Sequence, residues 1–295
     1  MKKLHSIFII PAILAVGIVL VVSSCKKEEE PVPTTITLDK TQTGPHDIGE
    51  TVTATVTIEA EGVTKCVYYK VVDTEKGDPV DITSNLVQSD KTYTYDFSYV
   101  LELGDDVGTL GFEFEVTDDE AQVKTAALLV TTNLSVQGMF VKYDWKITAE
   151  EWLGSDVLAA HDAAKVFRFH ADGTYEVDLS PEHAGKNHHF CFWVYKETPD
   201  NGDTLAVLRL VRRLLSGDQG LDEYYDFRIT EATEAEMTMY WDLAVWGLLD
   251  IQRTFKSQAK GAFQPYGTEA YADTVLNQLD VLDCSHIDEN LLTID

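Results

Sequence analysis

The sequence predicts an all-β protein, a β-sandwich followed by an up-and-down β-barrel, and three observations predict it. Apolar residues recur with period two: in Thr51-Val52-Thr53-Ala54-Thr55-Val56-Thr57-Ile58 every even position is apolar and every odd one is threonine. Such a stretch buries one face and wets the other. Strand-like runs are short and separated by breaks such as Gly44-Pro45, Gly77-Asp78-Pro79 and Gly104-Asp105-Asp106, the punctuation of sandwiches and barrels. All five tryptophans, Trp145, Trp152, Trp193, Trp241 and Trp246, lie beyond residue 138. The composition therefore changes near the middle, and a second, aromatic-rich body follows the first.

Taken in order, the chain opens with Lys2 and Lys3, an apolar run from Ile7 to Val22 broken only by Pro11 and Gly17, and then Ser23-Ser24-Cys25. A basic start, an apolar core and small residues at the exit make a secretory signal. An uncleaved membrane anchor needs roughly 17 to 25 apolar residues, and it would give Ser-Ser-Cys no role. Ser-Ser-Cys after such a core resembles the lipobox of bacterial lipoproteins. That resemblance implies cleavage before Cys25 and acylation of its thiol, with palmitate-type chains, and of its new amino group. The run Lys26-Lys27-Glu28-Glu29-Glu30 is similar to the surface-export signal of Bacteroidetes lipoproteins, which implies an outer-membrane protein facing the outside of the cell. Residues 1–24 are thus read as signal peptide and 25–33 as a lipidated tether. Two or three acyl chains, at ~0.8 kcal/mol per buried methylene, would hold a soluble body on the membrane almost permanently.

The net charge of −27 becomes −29 once Lys2 and Lys3 leave with the signal. That excess excludes nucleic acid as a partner, since nucleic acid needs basic patches to displace its counterions. It also opposes lying flat on an anionic membrane, so the lipid is the expected membrane contact. With 44% hydrophobic and 10% aromatic residues, the chain has ample material for folded cores. Beyond Cys25 the cysteines are Cys66, Cys191 and Cys284, with no zinc or redox spacing. Cys66 and Cys191 sit inside strand-like runs and read as small buried apolar residues. Whether Cys191 pairs with Cys284 is left open.

Period two predicts strands over Thr35–Asp39, Glu50–Glu59, Lys65–Val72, Thr92–Leu101, Thr109–Asp118 and Ala121–Thr131. The stretch TLGFEFEVTDDEAQVKTAALLV resembles the last two strands of bacterial immunoglobulin-like domains, including polycystic-kidney-disease-type repeats. The resemblance covers residues 34–133 and implies a spacer or adhesive module. Asn133 to Gly138 reads as a polar joint. Beyond it, strands are predicted over Tyr143–Thr148, Lys165–His170, Thr174–Leu179, His188–Lys196, Thr204–Arg213, Tyr224–Thr230, Glu236–Asp242 and Leu249–Gln258. Asp172-Gly173 and Asn201-Gly202 are two-residue hairpin signals. Strands joined by such turns favour a meander closed on itself, because closure removes unpaired edges. The pieces YDWKITAEEW, KVFRFHADGTYEVDL and YYDFRITEATEAEMTMYWD resemble the lipocalin-like domains of Bacteroidetes lipoproteins, with Phe169 to Tyr175 and Ile229 to Met239 carrying the match. The resemblance covers residues 138–258. It departs from true lipocalins at the start, where Lys142-Tyr143-Asp144-Trp145 replaces Gly-x-Trp. In the extension 259–295, Tyr271, Val275, Leu276, Leu279 and Leu282 fit one side of a short helix, with an irregular tail as the alternative.

Recognised catalytic motifs are absent: no Gly-x-Ser-x-Gly, no His-Glu-x-x-His, no phosphate-cradling or dinucleotide glycine loop. The expectation is a non-enzymatic protein without cofactor or metal. His183, His188 and His189 read as loop imidazoles, since adjacent His188 and His189 point to opposite faces of a strand. The acidic loops Asp200–Asp203 and Asp218–Asp222 read as hairpin turns rather than calcium sites. On the strand Phe190-Cys191-Phe192-Trp193-Val194-Tyr195 both faces are apolar, so one side fills the barrel and the other is covered by the sandwich, the tail or a ligand. Arg168, Arg209, Arg228 and Arg253 are read as pointing outward, with an inward, ligand-marking arginine as the alternative. Trp193, Tyr195, Arg209, Trp241 and Trp246 are the candidate ligand-binding residues. The function expected is binding of a small molecule, glycan or protein partner by the barrel. The rivals are an assembly component with a filled barrel docked to another envelope protein and, third, a hydrolase.

Overall fold

The computed structural model describes residues 32–178, 188–200, 203–216, 219–241, 251–263, 284 and 287–294. Its first nine strands are β1 (Thr35–Leu38), β2 (Gln42–His46), β3 (Thr51–Glu59), β4 (Val63–Val72), β5 (Glu75–Asp81), β6 (Val87–Ser89), β7 (Thr92–Val100), β8 (Leu110–Asp118) and β9 (Val123–Thr132). They form two sheets, β1-β3-β7-β6 and β2-β9-β8-β4-β5. The alternating residues of β3 and β8 meet between the sheets: Val52, Val56 and Ile58 from one side, Phe112, Phe114 and Val116 from the other. Phe97 of β7 lies 4.7 Å from Phe112 and 5.2 Å from Phe114, ring centre to ring centre.

Two breaks read from the sequence turn out to be strand. Gly44-Pro45 lies within β2, where Gly44 has φ +112° and a side chain would meet the Thr131 carbonyl oxygen at 2.2 Å. Gly77-Asp78-Pro79 lies within β5, an exposed strand at the edge of its sheet. An edge strand tolerates a proline because one side of its backbone needs no ladder partner.

The joint at residues 133–138 runs straight on into helix α1 (Val136–Lys142), whose Ser135 side chain caps it by accepting from Gly138 N at 2.8 Å. Then come β10 (Asp144–Trp152), β11 (Ser155–Asp156), α2 (Ala160–Ala163), β12 (Val166–Phe169), β13 (Tyr175–Asp178), β14 (His188–Asp200), β15 (Asp203–Ser216), β16 (Gln219–Ala232), β17 (Glu236–Trp241) and β18 (Ile251–Gln258). Their order, β13-β12-β10-β18-β17-β16-β15-β14, with β11 paired only to β10, is a nearly closed eight-strand antiparallel barrel. Among the described residues the two end strands meet at a single bridge, Thr174 to Phe192, and Trp193 N donates to Gly173 O at 2.8 Å.

The turn before β13 differs in length from the two-residue turn expected. His170 N bonds to Thr174 O, so the loop holds three residues, Ala171-Asp172-Gly173. Gly173 takes φ +85°, and the Asp172 carboxylate accepts from Thr174 N and Oγ1 at 2.9 and 2.6 Å. A left-handed glycine closing a three-residue loop is the next commonest hairpin solution. At the opposite strand ends, Asp200 pairs with Asp203 across Asn201-Gly202.

One end of the barrel is closed by α1. Phe140 is fully buried there, with ring centres of Phe169, Trp193 and Trp145 at 5.0, 5.7 and 6.0 Å. The period-two reading of the strand from Phe190 also needs correction. A bulge between Phe190 and Phe192 shifts the register, so Phe190, Trp193 and Tyr195 belong to the interior while Cys191 and Phe192 turn outward.

The C-terminal segment covers that outward patch. Cys284 is disulfide-bonded to Cys191, which is therefore a buried half-cystine and not a free apolar residue. Ile287, Leu291 and Leu292 pack with Val211 and Phe192. The helix expected over 271–282 lies outside the described residues. Because the bridge closes a loop of 93 residues, replacing both cysteines by serine is expected to cost about 2–4 kcal/mol. Denaturant titration of the double variant checks this, and an unchanged midpoint would reject it.

Candidate functional site

The interior of the barrel is divided along its length. Toward α1 it is solid, filled by Phe140, Trp145, Phe169, Trp193, Met237 and Met239. Toward the other end, where β10, β13, β15 and β17 finish, a cavity of about 140 Å³ remains. Phe167, Tyr175, Phe190, Tyr225, Phe227 and Trp241 wall it, with Ile147 and Leu210 deeper and Asp162, Lys165, Arg212 and Arg253 among them. Alternation on the strands explains the set. Tyr225 and Phe227 share a face of β16, and Leu208, Leu210 and Arg212 share the inward face of β15. On β18, Arg253 shares its face with buried Phe255.

Each cation has a carboxylate beside it. Arg253 Nε donates to Glu150 Oε2 at 2.6 Å, and the guanidinium lies 5.3 Å from the Trp241 ring centre and 5.7 Å from that of Phe227. Arg212 Nε and Nη2 donate to one oxygen of Glu223 at 3.1 and 2.9 Å, and Nη2 also reaches the Tyr225 hydroxyl. The Tyr225 hydroxyl donates to the same Glu223 oxygen at 3.1 Å. Lys165 Nζ contacts Asp162 Oδ1 at the margin. Buried charges survive when paired in this way, and guanidinium stacking on aromatic faces adds to the pairing.

The candidate residues from sequence are therefore separated. Trp241 lines the cavity. Trp193 belongs to the packed floor, its indole donating to His170 O at 3.0 Å. Tyr195 packs against Phe140 on the floor side, with its hydroxyl bonded to Glu197. Arg209 is on the outer face, bidentate to Asp226 at 2.7 and 2.7 Å and donating to Thr293 O at 2.7 Å. Arg168 is also outside, bidentate to buried Asp144 at 2.8 and 2.8 Å. The outward reading fails for Arg253, which points inward because it shares the parity of Phe255. Trp246, Cys25 and His183 lie outside the described residues. Arg212, Tyr225, Phe227, Phe167 and Phe190 are not among the ligand-binding candidates that the sequence offers. The signal for Arg212 was its two-residue spacing from Leu208 and Leu210. Among the described residues, no cluster of three His, Cys, Asp or Glu is placed to hold a metal, and no helix is long and apolar enough to cross a membrane.

No family model matches the chain, and no curated protein matches it. Among solved structures, similarity is found to the sporulation control protein Spo0M of Bacillus subtilis, at 10% identity over 78% of this chain and 91% of that one, with a TM-score of 0.24. A DUF4466 family protein from Parabacteroides merdae shows 10% identity over 78% of this chain and all of that one, at 0.25. Salmonella alpha-2-macroglobulin reacted with methylamine shows 9% identity over 79% of this chain and 18% of that one, at 0.22. At such scores the likeness decides neither fold nor activity.

The barrel's tyrosines make its stability depend on alkaline pH. Burial raises the Tyr175 phenol far above the ordinary value of 10.0. Burial also raises Tyr225, with Arg212 opposing, and raises Tyr195, with the bond to Glu197 adding to it. The folded state thus favours the neutral phenols, while unfolded tyrosines ionise near 10.0. Their contribution is present below that pH and is lost as pH rises from 10.0 toward the folded values. Denaturation midpoints between about pH 9 and pH 11 are expected to fall, with phenolate absorbance lagging until the barrel opens. Tyr175→Phe should flatten the fall, and an equal slope in that variant would reject the assignment.

Proposed function

We propose that the chain is an exported lipoprotein, acylated at Cys25 and held in the outer membrane facing outward, whose barrel mouth binds a small molecule without catalysis. In this reading the first two sheets form an immunoglobulin-like spacer and the barrel a lipocalin-like binding body. The observation that carries it is the division of the interior: a packed floor below and an aromatic cavity with inward arginines above. Ligand sites combine apolar walls with a few placed polar groups in this way. The solid floor supports a rival, a structural barrel docked to another envelope protein. Thermal unfolding of the full-length chain against small aromatic compounds and glycan fragments separates the two. A ligand at about 100 times its Kd adds about 2.7 kcal/mol of stability, and Trp241→Ala should abolish that gain. No shift with any compound would favour the rival. Intact mass of membrane-extracted protein tests the anchor: residues 1–24 should be absent and Cys25 acylated, and an unmodified thiol with Met1 retained would refute it.

A further inference from the structure

We infer that the mouth takes an uncharged, single-ring aromatic compound bearing a carbonyl acceptor, an inference that rests on the mouth being a binding site. Lys165, Arg212 and Arg253 are the cations that line the cavity among the described residues, and each has a carboxylate beside it: Arg253 has Glu150, Arg212 has Glu223 and Lys165 has Asp162. Among the described residues, no cation at the cavity is left without a counter-charge for an anion to meet. An anionic ligand would lose its hydration and meet Glu150 and Glu223 beside the arginines it sought. A cationic one would meet the guanidiniums.

Hydrogen-bonding capacity is left over, however. Arg253 spends only Nε, and neither of its Nη groups has a partner among the described residues. Arg212 spends Nε and Nη2, leaving Nη1. Guanidinium nitrogens only donate, so what they seek is an acceptor. The Arg253 guanidinium lies over Trp241 and Phe227, 5.3 and 5.7 Å from their ring centres, which keeps its spare donors beside the aromatic walls. A carbonyl on a ring lying among those walls would meet them. Size completes the description. At about 140 Å³ the cavity matches the ~150 Å³ engineered cavity that admits benzene, and it is too small for a lipid or an oligosaccharide.

Calorimetric titration of the full-length chain with benzamide, benzoate and benzene tests this. Benzamide should bind about tenfold or more tighter than benzene, the effect of one hydrogen bond to a charged donor, and about tenfold tighter than benzoate. In Glu150→Gln/Arg253→Met, which removes the pair together and strands no buried charge, the benzamide preference should vanish while benzene affinity stays within about twofold. Benzoate binding as well as benzamide, or benzamide no better than benzene, overturns the inference and leaves the mouth a binding site. Failure of all three compounds also overturns it. The mouth itself then stands or falls on whether any other compound stabilises the wild type but not Trp241→Ala. Should the double variant not fold, the three wild-type affinities decide alone.

Discussion

Trp193 is the residue on which the barrel depends. Its backbone N–H crosses the seam between the two end strands to Gly173 O at 2.8 Å, and its indole reaches back to His170 O at 3.0 Å. The same ring fills the floor against Phe140 and Phe169, at 5.7 and 5.5 Å. One residue thus closes the sheet with its backbone and supports, with its ring, the helix that seals the end. An eight-strand barrel has an interior only just wide enough for side chains to fill. What enters from α1 and Trp193 therefore decides how much interior remains at the far end.

The two inward arginines are harder to justify by stability. A buried ion pair costs several kcal/mol per ion in lost hydration and recovers it only with good geometry. Removing one partner is severe, about 3–5 kcal/mol, whereas replacing both by apolar residues is often neutral. The Glu150–Arg253 pair meets the geometric demand, at 2.6 Å with aromatic rings beneath the guanidinium. Apolar residues would hold the wall as well. Stability gives no reason for the pair, and the proposed ligand does.

Period two revealed six of the first body's nine strands and all eight barrel strands, mostly because one face is buried and one is wet; it missed β2, β5 and β6, which are short or carry glycine and proline. It failed where the chain adds a residue or changes partners. The bulge after Phe190 puts Cys191 and Phe192 on the same outer face, and nothing in six successive apolar or aromatic residues marks where the extra residue falls. Helix α1 is too short for a periodic signal, its seven residues follow the polar run Thr131-Thr132-Asn133-Leu134-Ser135, and Gly138 lies within it. The cavity was half legible. Trp241 stood out by type, but Arg212 and Arg253 needed the parity of their neighbours, and their carboxylates come from other strands altogether. A disulfide joining residues 93 apart could not be chosen from spacing.

The floor of the barrel is also where the first body enters the argument. The turn between β7 and β8 lays Leu103 and Val107 against the barrel core. Its Asp106 accepts from Ser135 N and Oγ at 2.8 and 2.6 Å, holding the cap of α1. Gly138 permits that approach, since a side chain there would meet an Asp106 oxygen at 2.2 Å. The same turn is fixed to its own body by Asp105, which accepts from Glu102 N at 2.9 Å and Tyr99 Oη at 3.0 Å and pairs with Lys70. Contacts therefore run unbroken from Lys70 through Asp105, Asp106 and Ser135 to Phe140 and Trp193. Two bodies hinged only at a polar joint would swivel. Here the first body's turn is part of the barrel's floor, so whatever fixes the first body also fixes the direction in which the cavity opens.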